Sequence, residues 1–246
     1  MYQPTGTSQH SASILPGSNT LAVKGVMLTE ISQIGPSFAA SQGRPGPGSS
    51  FISSMANSKK DLSSLETCFN LARSCHPHRY KTFEDALVAC QLCLVGGKTH
   101  KLERAKPEET RVGFRCFDYL MQAPGSLTSI SKGISNNEDS LSSSQGEILP
   151  ESISERIALA EKLLLEIRLA TSGRTFFLTS QGQMGLATFG CKTGDKICVF
   201  HGMSVLFALR EVTGGYALQG ECYVQDAMDG YSFHAEGGKS QLFHLI

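Results

Sequence analysis

The most reactive side chains of this sequence are the thiols and imidazoles between residues 75 and 93. Cys90 and Cys93 form a Cys-x-x-Cys pair, and Cys75 is followed directly by His76. A structural zinc site usually combines two ligand pairs of matched spacing. Because the second pair is missing, we expect reduced, buried thiols, and we predict no metal and no cofactor.

Two catalytic alternatives remain open at the level of the sequence. Cys75 and His76 offer a nucleophile and a base, although neighbours in sequence seldom face each other. Asp226 and Asp229 lie near Glu221 and form a small acidic cluster, but the six or more oxygen ligands that Ca²⁺ needs are not evident. We therefore predict a protein that is not an enzyme and has no catalytic residue. A hydrolase or metal-dependent enzyme using Cys75/His76 or the Asp226–Asp229 cluster is the alternative.

Charge and hydropathy exclude several classes of partner. The chain has 22 basic and 22 acidic residues, which gives a net charge of zero, and it has no block of like charges. A nucleic-acid-binding protein usually carries a basic face, so we expect no nucleic-acid partner. The longest apolar stretch, residues 157–170, contains four charged residues, and residues 1–20 do not resemble a secretory signal. We expect a cytoplasmic protein without membrane contact.

The chain divides into six segments that differ in composition and periodicity. Residues 1–20 are polar and predicted to be disordered, residues 41–60 form a Gly- and Pro-rich linker, and residues 124–150 form a flexible insertion. Residues 21–40 predict a strand that runs into a turn or helix start near residues 29–34. Residues 61–123 are helical, and residues 151–246 form a helix plus a small antiparallel β-barrel.

Apolar residues at helical spacing define the helices. Leu62, Leu65, Phe69 and Ala72 recur at steps of three and four residues, and a second helix is predicted for residues 82–95. A further helix follows Pro150, where Ser152 and Glu155 predict a capping box, and it ends at Gly173. Glu166 is assigned to the polar side of this helix.

After Gly173 the apolar period changes to two, which is typical of strands. Between residues 205 and 209 both faces of a strand are apolar, which favours a closed or nearly closed barrel over a sheet that faces solvent. The predicted turn residues are Gly182, Gly185, Gly194, Asp195, Gly202 and Gly230. The fold class that follows is α+β, with a helical region and flexible insertions before a small antiparallel β-barrel-like module.

Five blocks of this strand-rich region occur in a specific order: residues 174–182, which read RTFFLTSQG, then Gly185-Leu186, Gly194-Asp195, Phe207-Ala208-Leu209-Arg210, and residues 220–230, which read GECYVQDAMDG. In this order and spacing the blocks resemble the C-terminal region of fungal heterokaryon-incompatibility (HET) proteins. The chain departs from that pattern at Asp226, where the family often has Gly. It contains no Trp and lacks the N-terminal HET signature.

The resemblance implies a non-catalytic accessory or regulatory module of a nonself-recognition protein. It also implies that this module acts through contacts with other proteins, HET-type proteins among them. A polar rim of Arg174, Arg210, Glu221, Tyr223 and Asp229 is the candidate binding surface, since Arg and Tyr are enriched at interfaces. Within it we expect Arg210 and Glu221 to pair. The absent signature leaves a truncated, nonfunctional remnant as a further alternative.

Overall fold

The computed structural model describes residues 12–14, 17, 19–40, 59–75, 78–122, 149–228 and 239–246. The predicted linker and insertion, residues 41–60 and 124–150, lie almost entirely outside the described residues. In chain order the elements are β1 Ala12–Ile14, β2 Leu21–Ser37, α1 Lys59–Cys75, α2 Phe83–Leu94, α3 Pro107–Gln122, α4 Ile153–Thr171, β3 Arg174–Thr179, β4 Met184–Thr188, β5 Lys196–Phe200, β6 Leu206–Val212, β7 Gly215–Val224 and β8 Gln241–Leu245.

Six of the strands close into a ring. β3, β4, β7, β6 and β5 are neighbours in that order, and β2 pairs with both ends of this series. All pairs within the ring are antiparallel. β1 and β8 pair with the first residues of β2 outside the ring. This architecture confirms the α+β class and the barrel.

The long strand β2 closes the barrel. Its residues 25–30 pair with β5 and its residues 31–37 pair with β3, with shifts in register between Ile31 and Gln33 and between Ile34 and Ser37. The turn or helix start predicted for residues 29–34 is therefore wrong. Strand pairing on both sides overrides the weak local pattern, because Val26 and Ile31 become buried in the core. β1 likewise lies in the stretch predicted to be disordered.

Helix capping differs from the prediction at α4. Ser152 is the N-cap of α4, but its side chain makes no capping hydrogen bond, and its hydroxyl lies 2.6 Å from that of Ser154. The predicted capping box is therefore wrong. A true capping box forms at α2, where the Asp85 amide donates to Thr82 Oγ1 at 3.0 Å and the Thr82 amide donates to Asp85 Oδ2 at 3.1 Å.

Two apolar clusters explain why both faces of the strands are apolar. The larger cluster joins the helices to one set of strand residues, which includes Leu206 and Ala208 of β6. The smaller cluster consists of Val23, Cys198, Phe200, Leu209 and Phe243. Because Phe243 comes from β8, this strand contributes to the smaller cluster although it lies outside the ring.

Candidate binding cleft between the helices and the barrel

A cleft of about 330 Å³ lies where the helices meet the barrel. Three groups of residues line it: the end of α2 and the loop after it, the last turns of α4, and one end of β3 and β7 with the segments beside them. The lining residues are Val95, Gly96, Lys98, Thr99, His100, Leu102, Glu166, Leu169, Ala170, Arg174, Val205, Glu221, Cys222, Tyr223 and Met228. Three of the five predicted rim residues, Arg174, Glu221 and Tyr223, are among them.

Sheet register brings these three residues to one end of the barrel. Arg174 pairs with Thr188 in β4, and the residue before Thr188 pairs with Cys222 in β7. Arg174 and Glu221 therefore lie about two strand spacings apart, or roughly 10 Å. Tyr223 is buried, and its hydroxyl donates to the side chain of Gln225. The Tyr223 hydroxyl is thus already engaged, whereas its ring forms part of the wall.

Arg174 supplies a positive charge to the cleft. Its side chain is half-buried, and among the described residues its guanidinium has no hydrogen-bond or ion-pair partner. It lies near the thiols of Cys93 and Cys222, where burial raises both pKa values and the charge of Arg174 opposes the rise. A guanidinium in this setting is a ready partner for an anionic group.

His100 and Glu166 form an oriented pair in the wall of the cleft. Glu166 is only 8% exposed. Its Oε1 accepts the His100 backbone amide at 3.1 Å and lies 3.0 Å from His100 Nδ1. Since a carboxylate only accepts hydrogen bonds, the proton resides on Nδ1. The carboxylate thus fixes the orientation of the imidazole.

Two leucines make the edge of the cleft apolar. Leu102 is 80% exposed and has a left-handed backbone, and Leu169 of α4 is 63% exposed. Both belong to the lining of the cleft. Large exposed apolar side chains beside polar groups are typical of interaction sites.

Of the other two predicted rim residues, Arg210 is not part of the described lining of the cleft. Arg210 donates to Asp195 from Nε at 2.9 Å and from Nη2 at 2.8 Å, and it also reaches the carbonyl of Gly190. The expected pairing of Arg210 with Glu221 is therefore wrong. The register explains the difference, because Glu221 lies opposite Phe207 and Arg210 lies opposite Ala217. Asp229 lies outside the described residues.

The cysteines all lie in the described part of the chain, in surroundings that disfavour the thiolate. All eight are buried and none forms a disulfide. Burial raises the pKa of Cys75, Cys90 and Cys93, so the nucleophilic thiolate is disfavoured at neutral pH. No three His, Cys, Asp or Glu side chains of the described residues are grouped to hold a metal ion. His76 lies outside these residues.

The predicted turn residues have different physical roles. Gly182, Gly194 and Gly202 have left-handed φ angles. Gly185, which we expected in a turn, instead lies within β4, where an added Cβ would come 2.3 Å from the Phe177 ring and 2.6 Å from the Tyr223 carbonyl. Asp195 accepts the Lys192 amide of its own turn as well as Arg210. Gly230 lies outside the described residues.

Asp226 occupies the position where the resembling family often has Gly. Its φ is +70°, in the left-handed region that favours glycine, and Asp is among the few other residues that adopt it readily. Backbone conformation therefore explains this departure without a catalytic role for Asp226.

The sequence does not predict most residues of the cleft, including His100, Leu102, Glu166 and Leu169. Glu166 was placed on the polar side of its helix, but the structure buries it against His100. The pair joins residues 66 positions apart. No local pattern in the sequence indicates that these two residues meet. Leu102, the one apolar residue in the polar stretch Lys98–Arg104, is a weak sequence signal of an exposed apolar contact residue.

Comparison with known proteins finds a domain family that is similar to the C-terminal strands of the barrel. Residues 137–246 match the model of the Het-6 beta-barrel domain. Over 78 residues the chain is 37% identical to "Heterokaryon incompatibility protein 6, OR allele" of Neurospora crassa. The aligned region covers 30% of this chain and 11% of that protein. No solved structure matches the chain. Among the described residues, the helices lack the length and apolar character that crossing a membrane requires. The C-terminal part of the chain is therefore similar to the Het-6 beta-barrel domain, which confirms the resemblance to the C-terminal region of fungal heterokaryon-incompatibility proteins.

Proposed function

We propose that this chain is a non-catalytic accessory or regulatory module of a fungal nonself-recognition protein, and that it binds another protein through the cleft. The partners that we propose are HET-type proteins in the cytoplasm. The observation that carries the proposal is the position of Leu102 and Leu169, which lie exposed beside Arg174 and Glu221. The similarity to the heterokaryon incompatibility protein of Neurospora crassa supports the proposed role in nonself recognition. The chain covers only 11% of that relative's length.

The composition of the cleft suits a protein partner. Interface centres are enriched in aromatic residues, Met and Arg, and the cleft contains Tyr223, Met228 and Arg174. The exposed leucines provide apolar area that loses contact with water when a partner binds. Charged groups of both signs, Arg174 and Glu221, then fix the orientation of the partner.

The raised pKa values of the buried thiols support a non-catalytic role. A cysteine nucleophile needs a stabilised thiolate, and burial does the opposite at Cys75. Glu166 and His100 form a Glu–His pair, but the described residues that line the cleft include no Ser. The one Cys among them, Cys222, has a pKa that burial raises. We therefore assign the pair a binding role.

The test is co-purification of the full chain with a co-expressed HET-type protein. Leu169→Asp places a charge at the edge of the cleft, and we expect it to reduce the recovered partner at least about tenfold, as the loss of one interface anchor does. Leu242→Asp is the matched control, because Leu242 is 56% exposed on β8 and does not line the cleft.

Equal recovery with wild type and Leu169→Asp would show that the cleft is not the contact surface. Loss with both variants would also count against the cleft, provided that circular dichroism shows both to be folded.

A further inference from the structure

We infer that the cleft binds the carboxyl-terminal end of a partner chain whose last residue is apolar. This inference rests on the proposed function and specifies the ligand of the same site. It combines three features of the lining: one guanidinium, one oriented imidazole and a group of apolar side chains.

Arg174 is the anchor for the terminal carboxylate. Its guanidinium lines the cleft and has no hydrogen-bond or ion-pair partner within the described ranges. Arginine binds carboxylates with two parallel hydrogen bonds, which fixes the direction of the ligand as well as its charge. Because Arg174 is half-buried, solvent screens this contact less than it screens an exposed pair.

His100 offers a hydrogen-bond acceptor to the ligand backbone. Its Nδ1 donates to the buried Glu166, so a neutral ring presents Nε2 as an acceptor. Nε2 has no hydrogen-bond partner in the part of the chain that the structure describes. A peptide N–H is the donor that an extended chain end supplies next to its carboxylate.

Apolar side chains form the rest of the cleft. Leu102, Leu169, Val205 and Met228 line it and suit an aliphatic or aromatic last residue. The volume of about 330 Å³ is at the lower end of the range for ligand sites, ~300–1,000 Å³.

Glu221 selects against acidic ligands with several charges. It lies on the same cleft about 10 Å from Arg174 by strand spacing, and it repels a second carboxylate. This arrangement favours one carboxylate next to an apolar group over an acidic stretch of chain.

The experiment uses the immobilised full chain and a pool of hexapeptides. The last residue of each peptide is Leu, Ile, Val or Phe with a free carboxylate, and the other positions are randomised. Retained peptides are identified by mass spectrometry, and the most strongly retained one is synthesised with a fluorescein label at its N-terminus. Its Kd is then measured by fluorescence anisotropy, alongside an otherwise identical peptide with an amidated C-terminus.

We expect the amidated peptide and the Arg174→Gln variant each to weaken binding about tenfold or more, because each removes one charge-assisted contact. Arg73→Gln is the matched control, since Arg73 lies on α1 and does not line the cleft. A Kd within about threefold for the amidated peptide, an unaffected Arg174→Gln variant, or no retained peptide would each overturn the inference.

The two proposals fail separately. If the chain co-purifies with a HET-type protein through the cleft but binds no carboxylate-terminated peptide, only the inference about the chain end is wrong. If such peptides bind and no HET-type protein co-purifies, the assignment of the partner is wrong.

Discussion

At the scale of single residues, the carboxylate of Asp195 is a buried charge that its hydrogen-bond partners hold in place. It is 2% exposed, and it accepts two hydrogen bonds from Arg210 and one from the Lys192 amide. The backbone of the same turn is linked to β2, because the Ile31 amide donates to the Asp195 carbonyl and the Gly194 amide donates to the Ile31 carbonyl. Arg210, which resembles a binding residue in the sequence, is therefore structural.

Replacing Arg210 with Leu should destabilise the fold by about 2–3 kcal/mol, because it leaves the buried Asp195 carboxylate without its charged partner. Urea denaturation followed by circular dichroism measures this change. Lys106→Ala serves as the control, since Lys106 forms an exposed pair with Glu109 and should change stability little. An Arg210→Leu variant as stable as wild type would contradict this assignment.

At the scale of elements, α2 is stabilised by a local capping box and α4 by tertiary packing. α2 has a complete capping box at Thr82 and Asp85, whereas the N-cap side chain of α4 makes no capping bond. α4 is held instead by burial of residues that include Leu163, Leu164 and Ile167. The same helix buries Glu166 because His100 satisfies its carboxylate.

Thr82→Ala should therefore lower the free energy of unfolding by about 1 kcal/mol, since the Asp85 amide loses its acceptor. Ser152→Ala is the matched substitution at α4, and we expect it to have a much smaller effect because no capping hydrogen bond is lost. Chemical denaturation of both variants gives the comparison. Equal losses in the two variants would contradict the difference between these caps.

At the scale of the whole molecule, the barrel is built from two parts of the chain that are distant in sequence. β2 lies outside the region that matches the Het-6 beta-barrel domain, yet it pairs with β3 on one side and with β5 on the other. In the chain, α1, α2, α3 and α4 lie between β2 and the remaining strands of the ring. The structural unit therefore includes residues 21–37 as well as residues 149–228 and 239–246.

A chain cut between β2 and α1 should stay together, because backbone ladders hold β2 along both edges. The test introduces a protease site between residues 41 and 58 of the full chain, cleaves it, and follows both pieces by gel filtration and denaturing electrophoresis. We expect the two pieces to co-elute in native buffer and to separate in denaturant. Separation in native buffer would mean that β2 contributes little to the barrel.

Part of the fold and a smaller part of the site were predictable from the sequence. The stripe of Leu62, Leu65, Phe69 and Ala72 is buried as predicted, and the strands after Gly173 lie close to their expected positions. Arg174, Glu221 and Tyr223 were chosen as binding candidates, and the structure brings all three to one cleft. Their binding role stays a prediction.

What the sequence by itself determined was the local structure: periodicities of 3.6 and two, and the Gly residues that end elements. These features depend on residues a few positions apart in the chain, so the local sequence is enough to predict them. Only the tertiary structure decided that β2 closes the barrel, that Arg210 binds Asp195, and that Glu166 is buried against His100. The physical reason is that strand pairing and the desolvation of charges depend on partners distant in the chain, and one sequence does not specify which partners meet.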